Sequence, residues 1–132
     1  MSKSPNYACK PYFKLRKMRL GGIEPGAAVT GESWTVPNLC AAYSWPTGLG
    51  GGGVIAIVEL GGGWIESDIT SFFQSIGQPV PSITNISVDG TENSPGQSGS
   101  AGEADFEVAL DIEVAGASYY AATGKAATIR VY

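Results

Sequence analysis

The chain has 132 residues, the size of one domain with one modest core. With 43% hydrophobic and 15% charged residues it is not a disordered polymer, while 19 glycines and 8 prolines require many tight loops. The net charge of −4 hides a split: Lys3, Lys10, Lys14, Arg16, Lys17 and Arg19 crowd the N-terminus, and beyond them only Lys125 and Arg130 face 12 acidic residues, an acidic body that repels nucleic acid and anionic membranes.

Residues 1–33 read as a basic, irregular N-terminal arm, a solvated appendage rather than a binding element. Its apolar residues Tyr7, Ala8, Tyr12 and Phe13 are interrupted by Lys10, Pro11 and Lys14, so no secretory leader is visible. No run anywhere approaches the ~18 apolar residues of a membrane span. Cys9 and Cys40 allow a single disulfide and equally allow two free thiols.

From Trp34 the texture changes, and residues 34–132 read as the folded part. Residues 37–43 suit a short helix with Pro37 near its start, and residues 46–53 form a glycine-rich loop. Val54-Ile55-Ala56-Ile57-Val58-Glu59-Leu60 is almost continuously apolar and β-branched, which predicts a strand covered on both faces and ended by Gly61-Gly62-Gly63. Ser67 is the expected cap of a helix in which Ile69, Phe72, Phe73 and Ile76 recur at i, i+3, i+4 and i+7, stopped by Gly77 and Pro79. Residues 83–88 predict a second strand, Asp89-Gly90 a turn, residues 91–102 a polar loop, and residues 127–132 a third strand. Strands alternating with helices imply an α/β fold with a mainly parallel sheet and crossover helices.

The stretch 105–114 is ambiguous. Phe106, Val108, Leu110, Ile112 and Val114 alternate as in a half-buried strand, whereas on a helix they would fall all round the cylinder. The choice decides the chemistry of Glu107 and Asp111. On a helix the two acids share a face with Cβ atoms roughly 5–6 Å apart, so they interact and titrate together; on a strand they stand roughly 13 Å apart and the pair dissolves. A solvated acidic stripe of Glu103, Glu107 and Asp111 is the plain alternative, and Glu59 as a strand-end residue meeting solvent is its counterpart.

Other chemistries find little support. Residues 61–63 have the topology of a phosphate cradle, but Glu59, Glu66 and Asp68 crowd them with negative charge and no Lys-Ser/Thr pair follows. There is no histidine, which removes a Ser-His-Asp site, and no Cys/His cluster for zinc. Trp34, Trp45 and Trp64 read as core or loop anchors.

Ile55-Ala56-Ile57-Val58-Glu59-Leu60-Gly61-Gly62-Gly63-Trp64, then Val88-Asp89-Gly90, then Glu107-Val108-Ala109-Leu110-Asp111-Ile112-Glu113-Val114-Ala115-Gly116-Ala117, and finally Ile129-Arg130-Val131-Tyr132 resemble, in order and spacing, the N-terminal part of the catalytic domain of the sedolisins, the serine-carboxyl peptidases. The resemblance spans residues 34–132. It implies a partial subtilisin-like fold, an acid-acting Ser-Glu-Asp endopeptidase chemistry on peptide or protein substrates, and an extracellular setting. Glu107 matches the family's general base, Asp111 its partner on the same helix, and Glu59 an acid that extends the network in some members.

Three features depart from that pattern. No Gly-Thr-Ser segment, which carries the family's nucleophile, occurs; Gly99-Ser100 and Glu32-Ser33 are the nearest sequences, and Ser98 and Ser100 lie in an ordinary polar loop. The family's oxyanion-hole aspartate and calcium loop belong to the missing downstream part, so no cofactor is expected in this chain. Residues 118–125 stand where the family has a shorter Pro-Gly turn. The sequence therefore predicts the Glu/Asp half of a peptidase site, inactive alone and served by a complementing C-terminal chain. The alternative is a non-catalytic binding or assembly module that self-associates at an open sheet edge.

Overall fold

The computed structural model describes residues 34–96 and 101–132; the arm predicted at residues 1–33 and Cys9 lie outside the described residues. The elements run α1 (Val36–Ala42), β1 (Ile55–Ile57), α2 (Glu66–Ser75), β2 (Ser82–Asn85), α3 (Ala101–Thr123) and β3 (Thr128–Val131). The three strands form one parallel sheet in the order β1-β3-β2. Parallel neighbours require crossovers, which α2 and α3 provide. The α/β, subtilisin-like expectation is met.

Register places Ile55 beside Ile129 and Ile129 beside Ile83, so a row of isoleucines crosses the sheet on one face. Against that face pack Ile69 and Phe73 of α2 and Val108, Ile112 and Ala117 of α3, closing a core with Ile57, Ala127, Ile129 and Val131. The other face is open among the described residues: Ala56, Thr84 and Arg130 are exposed in one cross-strand row. The prediction that both faces of the first strand are covered is thus corrected. The run 54–60 alternates after all, with Ile57 buried while Val54, Val58 and Leu60 point to solvent.

Local chemistry explains the ends of the elements. Thr35 caps α1, its hydroxyl accepting from the Asn38 N–H at 3.4 Å, with Pro37 in the first turn. Ser67 does not cap α2. The helix starts from Ile65, extended at φ −104° and ψ 122°, with no side-chain cap, and Glu66 and Asp68 place negative charge at its positive end instead. Ser67 lies inside the helix, its hydroxyl donating to Asp68 at 3.3 Å. Gly77, at φ +67°, ends α2 as expected.

The ambiguous stretch is helical, as part of the 23-residue α3. Residues 118–123, expected as a loop, are also helical, because Ser-Tyr-Tyr-Ala-Ala contains no breaker and the first one met is Gly124 at φ +68°. The end of this helix is strapped to the loop before β1. Lys125 Nζ donates to the Gly50 carbonyl at 2.7 Å, the Gly52 N–H donates to the Tyr119 hydroxyl at 2.6 Å, and the Trp45 indole donates to the Ser118 carbonyl at 3.0 Å.

Candidate active site

β1 ends at Ile57, and the ladder runs on past it: Tyr132 donates to the Ile57 carbonyl at 2.8 Å and Glu59 donates to the Tyr132 carbonyl at 2.9 Å. Glu59 thus leaves the sheet at the carboxyl ends of the parallel strands, where open α/β sheets place their reactive groups. A cleft of about 430 Å³ opens there, lined by Glu59, the glycine loop 61–63, Val108 and Tyr132.

Glu107 and Asp111 stand one turn apart on α3, both exposed among the described residues, flanking the buried Val108. Glu59, at the end of the strand, meets solvent only in part. It is half-buried, and its Oε1 is shut off from solvent with no hydrogen-bond partner among the described residues. Burial raises its carboxyl above the ordinary value of 4.5, and the charges of Asp111 and then Glu107 push it further the same way. The fold therefore brings all three predicted acids into one electrostatic neighbourhood. A carboxyl raised by burial and by two like charges holds its proton into milder pH.

Two polar residues that the sequence does not single out organise this region. Asp105 accepts from the Gly63 N–H at 2.9 Å and from the Gly96 N–H at 2.6 Å. Asn93 accepts from the Trp64 N–H at 2.9 Å and returns a bond to the Trp64 carbonyl at 3.0 Å. These contacts also explain why the glycine loop is no phosphate cradle: the Gly63 N–H is already committed to an internal carboxylate. The triple glycine was the signal for close approach, but not for what approaches. A Cβ on Gly62 would lie 2.8 Å from the Ala104 backbone, and one on Gly63 would strike Asn93.

Among the described residues no group of three or more histidine, cysteine, aspartate or glutamate side chains could hold a metal ion, and no helix is long and apolar enough to cross a membrane. Cys40 is buried on α1, its thiol 3.8 Å from the Ser118 hydroxyl.

Fold and site together define an α/β domain with acids gathered at the carboxyl ends of a parallel sheet. The chain is similar to kumamolisin of Bacillus sp. (strain MN-32), with 41% identity over 110 residues, covering 82% of this chain and 20% of that protein. No protein-family model matches. Kumamolisin is a sedolisin, and this chain belongs to the sedolisin family, the serine-carboxyl peptidases, with the motifs of the N-terminal part of their catalytic domain. It spans about a fifth of that relative's length.

Proposed function

We propose that this chain carries the acid half of a sedolisin-type endopeptidase site acting on peptide or protein substrates. Glu107 is the general base, Asp111 orients it and shares its proton, and Glu59 extends the network behind them. The nucleophilic serine, the oxyanion-hole aspartate and the calcium site belong to residues outside these 132, so the chain alone does not cleave peptides. The observation that supports this reading best is that Glu59, leaving the end of β1, lines one cleft with Val108 of the Glu107–Asp111 turn of α3.

The chemistry follows from the groups. A serine hydroxyl needs a base within roughly 2.6–3.2 Å, and a carboxylate serves when neighbours hold it in place and accept part of the proton. During attack the serine proton passes to Glu107 and the Asp111 carboxyl steadies it there. When the amine departs, the same proton returns to the leaving nitrogen. Coupled acids perform this at low pH, where histidine would be permanently charged.

Mixing the chain with the downstream part of a sedolisin catalytic domain at about pH 4, where carboxylate bases are poised, is the direct test. Cleavage is expected in the mixture only, and Glu107→Gln should lower it by on the order of 10²–10⁴. Hydrolysis by the chain alone, or a mixture indifferent to Glu107→Gln, overturns the reading.

A second reading, a non-catalytic assembly module, is favoured by Phe106, Leu110 and Val114, which form an exposed apolar stripe at i, i+4, i+8 on α3. It requires the chain to self-associate across this stripe or the open sheet. Sedimentation as a monomer at every concentration would remove it.

A further inference from the structure

Glu59 lies between two anchors. Its own N–H holds it to Tyr132 at 2.9 Å on one side. On the other, Leu60 is fully exposed, and the loop lies close against neighbouring backbone at Gly62 and Gly63. What catches it is a clasp of three segments. Asp105, one turn into α3, binds the Gly63 N–H with one carboxylate oxygen and the Gly96 N–H with the other. Asn93 makes a reciprocal pair with the backbone of Trp64, and the Ser94 N–H reaches the Gly62 carbonyl at 3.4 Å. The absence of a side chain at residues 62 and 63 lets the loop lie directly on the backbone at Ala104 and Pro95.

Asp105 and Glu107 are two positions apart on a helix, so they face different sides. Asp105 therefore does not join the acid cluster. Its negative charge is committed to two backbone donors, a charge-assisted arrangement of the stronger kind. We propose that Asp105 is the positioning residue of the site: by gripping the Gly63 and Gly96 N–H groups it locks the glycine loop onto α3 and so fixes Glu59 beside Glu107 and Asp111. This inference rests on the acid-cluster reading above and deepens it.

The test is a carbon-detected NMR titration of the Glu59 side-chain carboxyl in the full 132-residue chain, which needs no activity. Asp105→Asn keeps the shape but leaves a single acceptor oxygen, so one of the two N–H groups loses its partner. The expected result is a Glu59 midpoint shifted down toward the ordinary glutamate range, as the loop lifts and the carboxyl gains water. If Asp105→Asn lowers the melting temperature while the Glu59 midpoint stays where it is, Asp105 is only a structural tie and the proposal falls. Glu107→Gln, titrated in parallel, separates the two readings. A downward shift there with none in Asp105→Asn sinks the positioning role alone. A shift in Asp105→Asn with none in Glu107→Gln sinks the acid cluster and leaves Asp105 in control of where Glu59 sits. Should Asp105→Asn not fold, Asn93→Ala opens the same clasp from its other strap: a fall in the Glu59 midpoint supports the proposal, and no change overturns it.

Discussion

At Glu59 a single carboxyl links site chemistry to stability. Burial first, then Asp111, then Glu107, raise it above 4.5, and Glu113 is raised likewise by burial and by Asp68 on α2. A folded-state value above the unfolded one means that the native chain binds protons more tightly. The stabilisation is complete below the unfolded value and is lost as pH rises through the raised folded values. Both residues remain partly solvated, so screening keeps the effect modest. The chain should therefore unfold at lower urea concentration at about pH 7 than at about pH 4 as far as these groups act. Glu59→Gln, which cannot ionise, should flatten that slope and raise the midpoint at the higher pH. A slope unchanged by the substitution would mean that Glu59 is not held near its two acidic neighbours.

At the scale of the elements, the contact between α2 and α3 is set by what Gly116 lacks. A Cβ there would lie 2.7 Å from the Phe73 ring, which is fully buried, meets Phe72 edge-on at 5.2 Å and has nowhere to retreat. Gly116→Ala would gain about 1 kcal/mol of helix propensity but incur overpacking of about 1–3 kcal/mol. A net loss of stability is expected in denaturant titration; a gain would mean that the helices slide apart at little cost. α2 was legible in the sequence because its apolar residues recur with the helical period. α3 was not, because Phe106, Val108, Leu110, Ile112 and Val114 alternate as a strand would, and only the resemblance to the sedolisins tips the balance toward a helix. The missed extension through residues 118–123 has a local cause. Alanines and tyrosines carry no stop signal, and the straps from Lys125 and Tyr119 to the glycine loop leave no trace in composition.

At the scale of the whole molecule, the core is one-sided among the described residues. Val58 at 74% exposure and Phe106 at 67% lie outside it, on surfaces that the periodicity of their segments assigned to the interior. The sequence therefore conveys a demand for burial that the described residues do not satisfy. The site was readable in proportion to how local it is. Glu107 and Asp111 stand out as paired acids in one apolar run, Glu59 gained meaning only from the resemblance, and the Asp105 clasp was silent because backbone N–H donors have no signature in the sequence.

Strand order carries a further consequence. β1 and β2 never touch; each is paired only to β3, the last of the described elements to be synthesised and the centre of the sheet. Every rung of the ladder waits for residues 128–131, so the described strands have no sheet to assemble until that segment has been made, and the loops to be closed by then are long. A version cut after Lys125 should retain helical circular dichroism but lose cooperative melting altogether. A sharp transition in that shortened version would show that the helices alone suffice as a nucleus.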